Sequence, residues 1–250
     1  MQKIKKLYRD SYEGENIIRE MTYVSGEWEK TSEFVPSMVE NQQTSGKAVI
    51  LGNGPSRKEL YYGDMLLSRL KTHKGGSQSF GAVQTYGCNA ILRDFSPDFT
   101  IANDEMAAEL VNTGKCDNNI IYGTGQMILK YPGKFYMIPQ NPGWDSGALA
   151  AYLACFDGHK TVYLMGFDLH SGDIDYQHNI YAGTNGYPQL RSSTTEEYFV
   201  ASMKRVMDTY SDVDFVRVVP TPNFYMPEEW KYQLNLRQIV FWDFACEIDL

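Results

Sequence analysis

Short apolar runs, each ended by a polar or glycine-bearing break, recur along most of this chain. Residues 48–51, 82–86, 99–102, 119–122, 135–138, 161–165 and 214–219 are of this kind and read as strands. Between them, 57–72, 105–111, 146–156 and 194–210 have the length and composition of helices. The alanine-rich segment 146–156 has Asp145 or Ser146 as its cap and Gly158 as its stop. Strands alternating with helices predict an α/β fold, a doubly wound, mainly parallel, Rossmann-like sheet.

The two ends follow a different pattern. Residues 16–19, 21–24 and 27–30 read as strand, turn and strand around Ser25-Gly26, a small β hairpin or appendage over 1–46. The polar stretch 41–46 makes a boundary, so 47–220 is expected to be the nucleotide-binding domain. The tail, 221–250, carries Trp230, Tyr232, Leu234, Leu236, Ile239, Val240, Phe241, Trp242 and Phe244. So much apolar surface predicts packing on the domain or on a partner subunit, and a homo-oligomer through the hairpin or the tail is one outcome.

Polar residues fall at one place in the pattern. Asn53, Asn89, Asn103-Asp104 and Asp168 each follow a predicted strand. In an open parallel sheet that edge is where ligands bind. The first break is the sharpest: AVILGNGPS at 48–56, an apolar run opening into Gly52-Asn53-Gly54-Pro55-Ser56. Its glycines permit positive φ and close approach of backbone to a ligand. Pro55 suits a first helical turn, and the amides there favour an anion. The stretch lacks the third glycine of the dinucleotide fingerprint and the Gly-Lys-Ser/Thr of a P-loop. A strand-to-helix turn that binds nothing would look the same.

Composition removes some classes. A net charge of −8 leaves no basic stripe for nucleic acid, while anionic small ligands remain open because backbone amides bind phosphate. Cys88, Cys116, Cys155 and Cys246 form no CxxC pair and have no zinc spacing, which fits a reducing, cytoplasmic setting. Met1-Gln-Lys-Ile-Lys-Lys is followed by no apolar segment of a leader, and no run approaches the roughly 20 residues of a membrane span.

Together, GNGPS after the first strand, Cys88-Asn89 after the second, Asn103 after the third, and Ser146-Gly147 ahead of Tyr163-Leu-Met-Gly-Phe-Asp168 form a pattern. It resembles that of the bacterial sialyltransferases that use CMP-sialic acid, and of a broader group that includes an archaeal 6-hydroxymethylpterin pyrophosphokinase. The likeness covers about residues 48–220. It implies that Gly52, Asn53, Gly54 and Ser56 hold the phosphates and ribose of a CMP-type nucleotide. It further implies that Asn89 and Asn103 touch its sugar or phosphate, that Ser146 and Gly147 lie near the transferred group, and that Asp168 orders the loop after its strand. Tyr176 matches a tyrosine that supports the leaving phosphate. The partners implied are a nucleotide-linked small molecule and a glycan or small-molecule acceptor. Two positions depart from the pattern: 189–195 contains no histidine where the family has its base, and Gly143-Trp144-Asp145 stands where an arginine is expected.

Other residues offer chemistry of their own. His170 and His178 flank the loop after Asp168, and a histidine there can take a proton from an acceptor hydroxyl. Asp168, Asp173 and Asp175 are hard oxygen ligands for Mg²⁺, although their spacing matches no defined metal loop. Trp144, Tyr176, Tyr181 and Tyr187 can stack on a base or sugar ring. Residues 172–193, rich in Gly, Asn and Tyr, read as a lid or binding loop, while His73 and His159 read as structural. The leading expectation is a nucleotide- or sugar-nucleotide-binding transferase. The alternatives are a structural or assembly protein that keeps the fold, and a Mg²⁺-dependent pyrophosphokinase-like enzyme.

Overall fold

The computed structural model describes residues 2–9, 16–25, 27–34, 46–61, 83–102, 104–131, 134–138, 142–169, 179–189 and 193–249. Its strands are β1 Gln2–Arg9, β2 Asn16–Val24, β3 Glu27–Phe34, β4 Lys47–Leu51, β5 Gln84–Cys88, β6 Phe99–Ile101, β7 Ile120–Gly123, β8 Tyr136–Met137, β9 Thr161–Met165, β10 Asp214–Val219 and β11 Leu236–Val240. Its helices are α1 Asp104–Asn112, α2 Lys115–Asn118, α3 Gly125–Lys130, α4 Ser146–Phe156, α5 Ser193–Thr209 and α6 Phe241–Glu247.

All the strands form one sheet, in the order β11-β10-β9-β4-β5-β6-β7-β8-β1-β2-β3. From β11 to β8 every neighbouring pair is parallel. β1 joins β8 through Lys5 opposite Tyr136, and β1, β2 and β3 continue as an antiparallel meander. The chain lays β4 to β8 outward in one direction, then crosses back to set β9 on the other side of β4. That reversal is the switch point of a doubly wound fold.

Burial explains why the central strands read as unbroken apolar runs. Ala48 and Ile50 of β4, with Val162 and Leu164 of β9, face one core. Val49 and Leu51, with Tyr163 and Met165, face the other. A strand covered on both faces needs apolar residues at every position. α4 lies on the first face, and the small side chains of Ala148, Ala150, Ala151 and Ala154 let it approach the sheet while α5 covers its back. α5 turns Val200, Met203, Val206 and Met207 inward and leaves Ala201, Arg205 and Asp208 exposed. On the second face, α1 contributes Ala107 and Leu110, α3 Met127 and α6 Phe244.

Several elements differ from the sequence expectation. The strand expected over 82–86 is described over Gln84–Cys88, where Gln84 and Thr85 are buried polar residues with partners inside the protein; residue 82 lies outside the described residues. β2 runs unbroken from Asn16 to Val24 and takes up its irregularity as a register shift between Glu20 and Met21. β1 was not expected. The tail supplies β11, parallel to β10, and α6, which carries Phe244 against Tyr163 with ring centroids 5.1 Å apart. Trp230 and Phe244 are buried there, while Tyr232, Leu234 and Trp242 remain exposed. The helix expected over 57–72 is described only at its start, as a 3₁₀ turn over Pro55–Tyr61; the rest lies outside the described residues.

Candidate functional site

The loops that leave β4 and β9 meet each other at the switch point. The Gly52 amide donates to the Met165 carbonyl at 2.8 Å, and the Gly54 amide to the Gly166 carbonyl at 2.9 Å. Gly166, at φ +73°, turns its loop back on the first. A Cβ on Gly52 would lie 2.5 Å from the Gly166 carbonyl oxygen, and one on Gly54 2.6 Å from the same atom. Neither Gly52 nor Gly54 has a positive φ. The expectation of positive φ at these glycines is therefore corrected: the close approach of the chain's own second loop requires them to be bare.

Ser56 and Asp168 complete this junction. The Ser56 amide donates to Asp168 Oδ2 at 2.8 Å, and its hydroxyl donates to Oδ1. A carboxylate of the protein thus sits at the start of the 3₁₀ turn, where the sequence pattern offers amides to a phosphate. Asn53 is similarly engaged. Its Nδ2 donates to the Cys88 carbonyl at 3.2 Å and the Tyr187 hydroxyl at 3.3 Å, and its Oδ1 accepts from Arg57 at 3.1 Å.

Beside this junction opens a cleft of about 630 Å³, within the size range of small-molecule sites. Gly52, Asn53 and Gly54 line it, with Asn89 from the end of β5, Ser146 and Gly147 from the start of α4, and Asp168 and Leu169 after β9. Trp144, Phe167, Tyr187, Tyr198 and Phe199 add aromatic wall. Seven of the nine residues expected to hold the nucleotide therefore come together here, Gly52, Asn53, Gly54, Asn89, Ser146, Gly147 and Asp168, together with Trp144 and Tyr187 of the expected stacking residues. Ser56 lies just behind, on Asp168. Asn103, His170, Asp173, Asp175, Tyr176 and His178 fall outside the described residues, as does His73. His159 is buried away from the cleft, its Nε2 2.7 Å from Gln84 Oε1 and 3.2 Å from the Tyr86 hydroxyl.

Two cleft residues hold backbone conformations that side chains seldom adopt. Asn89 has φ +51° and Leu169 φ +46°. Asparagine tolerates the left-handed region; leucine there is strained. Strain of this kind gathers where a surface has been shaped for a ligand.

Part of the lid expected over 172–193 is described, and it is fastened down. The Ile180 amide donates to the Asn53 carbonyl at 2.9 Å, and the Ala90 amide to the Tyr187 hydroxyl at 3.3 Å. Fully buried Arg57 donates to the Tyr181 hydroxyl at 2.8 Å and to Asp94 at 3.2 Å, and Tyr181 in turn donates to Asp94 at 2.6 Å. Arg93 forks onto Glu109 at 2.7 and 2.6 Å while donating to the Thr184 hydroxyl at 2.7 Å and the Asn185 carbonyl at 2.9 Å. Tyr181 is thus a structural anchor and not a stacking surface. Sequence reasoning missed Arg57, Arg93 and Glu109, since a charged residue carries no mark in the sequence of a partner far along the chain. Arg217 escaped notice for the same reason: it is buried and donates to the Phe167 carbonyl at 2.8 Å and the Asp168 carbonyl at 2.7 Å, supporting the cleft from behind.

The electrostatics are one-sided. Glu105, Asp145 and Asp168 line the cleft, and none of its described lining residues is Lys, Arg or His. Asp145 caps α4, accepting from the Gly147 amide at 2.9 Å and the Ala148 amide at 3.1 Å. Burial, helped by nearby Asp145, pushes the Cys88 thiol up to about 12, so it is no nucleophile. Burial likewise raises the Tyr181 and Tyr187 phenols, which stay neutral. Among the described residues no cluster of His, Cys, Asp or Glu is placed to hold a metal ion, and no helix is long and apolar enough to cross a membrane.

No protein-family model matches this chain, and no curated protein does. Among solved structures it is similar to the monofunctional alpha-2,3-sialyltransferase Cst-I from Campylobacter jejuni, at 15% identity. The likeness covers 78% of this chain and 82% of that one, with a TM-score of 0.46. Identity and TM-score are both too low to speak for an activity.

Proposed function

We propose that this protein binds a nucleotide or sugar nucleotide in the cleft at the C-terminal edge of its parallel sheet and acts as a glycosyltransferase-like transferase. One observation carries the reading: the cleft opens at the switch point between β4 and β9, the place where doubly wound sheets take ligands. The left-handed Asn89 and Leu169 in its wall support it. Trp144 and Tyr198 offer rings for a base or sugar, and the acceptor would be a glycan or small molecule.

The test is a thermal-shift screen with CMP, CDP, UDP-sugars, GDP-sugars, CMP-sialic acid and ATP, each with and without Mg²⁺. A ligand at a hundredfold excess over its dissociation constant adds about 2.7 kcal/mol of stability. Asn89→Gly is the diagnostic variant, because glycine keeps the left-handed backbone and removes only the side chain. A shift with one nucleotide that Asn89→Gly weakens supports the reading; no shift with any ligand on folded protein ends it.

A second reading, an assembly protein without chemistry, draws on the engagement of Asn53, Ser56 and Asp168 with their neighbours and on exposed Tyr232, Leu234 and Trp242. Sedimentation to a stable higher oligomer, together with an unresponsive cleft, would favour it.

A further inference from the structure

The strap formed by residues 184–188 borders, besides the cleft, a shallower outer basin of about 430 Å³ lined by Glu105, Thr184, Asn185, Gly186, Tyr187 and Pro188. Glu105, Gly186, Tyr187 and Pro188 line both. Of these four, Glu105 alone carries a carboxylate.

Glu105 differs from the other carboxylates of the cleft. Asp168 holds Ser56 with both oxygens, and Asp145 holds two amides at the start of α4. Glu105, the second residue of α1, is exposed and has no hydrogen bond or ion pair among the described residues. The start of α1 favours an acidic residue at that position, and no partner in the described fold holds its carboxylate.

The walls of the basin define what would enter it. They present bare peptide at Gly186, a tyrosine ring, and the side chains of Thr184 and Asn185, which are held by Tyr181, Arg93 and Glu109, with no large aliphatic side chain and no cation among the lining residues. Such a surface suits a neutral, hydroxyl-rich molecule that can bond to polar groups and lay a C–H face on a ring. An anion would be repelled by Glu105.

We propose that the outer basin is the acceptor subsite for a saccharide or similar polyol, and that Glu105 is the base that receives the acceptor's proton. This rests on the transferase reading above. In the step, an acceptor hydroxyl oxygen forms a bond to the anomeric carbon of a sugar-nucleotide donor in the cleft. The bond from that carbon to the phosphate oxygen breaks and its electron pair leaves with the nucleotide. The hydroxyl proton passes to the Glu105 carboxylate. A carboxylate does the same for water in inverting glycoside hydrolysis.

The experiment measures nucleotide release from CMP-, UDP- and GDP-sugars, with and without a mixture of lactose, maltose and cellobiose. Wild type is compared with Glu105→Gln, Glu105→Asp and Glu105→Ala, and nucleotide affinity is read in parallel by thermal shift. Expected is saccharide-dependent release that falls about 100- to 10,000-fold in Glu105→Gln, with nucleotide binding retained. Glu105→Asp keeps part of the rate, and added formate restores part of it to Glu105→Ala. Turnover that is indifferent to Glu105→Gln overturns the inference and leaves the transferase reading standing. Nucleotide binding without saccharide-dependent release overturns the inference alone. Absence of nucleotide binding overturns both.

Discussion

Ser56 and Asp168 close on each other across the switch point: the serine amide donates to Oδ2 at 2.8 Å and the hydroxyl to Oδ1. One carboxylate from the loop after β9 thereby fixes the loop after β4. Asp168→Ala strands the Ser56 amide and is expected to cost roughly 1–3 kcal/mol, the usual penalty for a lost partner of a polar group. Ser56→Ala removes one bond of the pair and should cost about 1 kcal/mol. Urea denaturation of both variants and of the double variant checks this; independent, additive effects would show that the pair does not act as a unit.

The glycines at this junction make a sharper case. Gly52→Ala and Gly54→Ala place a methyl 2.5 and 2.6 Å from the Gly166 carbonyl oxygen, and overpacking of that kind costs about 1–3 kcal/mol. Gly125, in α3, has nothing within 4 Å of an added Cβ, so Gly125→Ala should be neutral or stabilising by up to about 1 kcal/mol. Melting temperatures of the variants decide the matter, and equal shifts at Gly54 and Gly125 would contradict the close approach.

Arg217 anchors the back of the cleft through the carbonyls of Phe167, Asp168 and Tyr225. Arg217→Met should destabilise by at least the roughly 1–3 kcal/mol of one stranded buried acceptor. Arg217→Lys should recover little of it, because a lysine has no planar fork to reach several carbonyls together. Chemical denaturation measures both.

Acid should loosen the strap. The Arg93 guanidinium holds the Glu109 carboxyl below its ordinary value, and Arg237 with Tyr163 does the same for Glu247 in the tail. A carboxyl lowered in the folded state contributes stability that is complete above the ordinary value of about 4.3 and is lost as pH falls through the lowered one. Stability should therefore be level above about pH 5 and decline below it, and Glu109→Gln should flatten part of that decline. A pH series of melting curves reads the slope.

Phosphate binding should depend on a divalent cation. With Glu105, Asp145 and Asp168 in the lining and no cationic side chain among its described residues, a divalent cation is expected to offset a nucleotide's charge. Titration calorimetry with a nucleotide found by the screen should give a higher affinity with Mg²⁺ than with EDTA. Equal affinities would place the neutralising charge in the protein itself.

Much of the architecture could be read from the chain, and the reasons are local. Thr161–Met165 and Asp214–Val219 were legible to the residue because strands buried on both faces are mostly apolar, with Arg217 the charged exception in the second. The Asp145 cap was legible from its chemistry. β11 was not, because Arg237 and Gln238 interrupt its apolar pattern and find their partners, Glu247, Asp214 and Arg217, elsewhere in the fold. The candidate site was legible as a set of loops at one edge, and seven of its residues do share a cleft. What could not be read was purpose: a glycine required by a neighbouring loop and one required by a ligand look alike in sequence. A buried arginine such as Arg57 likewise reads as a surface residue until its distant partners, Asp94 and Tyr181, are in place.

The strand order also sets when the cleft can come into existence. β4 and β9 pair from Lys47 opposite Thr161 to Leu51 opposite Met165, with β5 to β8 all synthesised between them. Contacts that distant in sequence carry a large loop-closure cost and form slowly. A nascent chain therefore carries its half-built edge, β4 to β8, with no partner for the exposed side of β4 until Met165 has been made. Truncated chains ending before β9 should be insoluble or captured by chaperones, and ligand capacity should appear abruptly, as a property of the nearly finished chain.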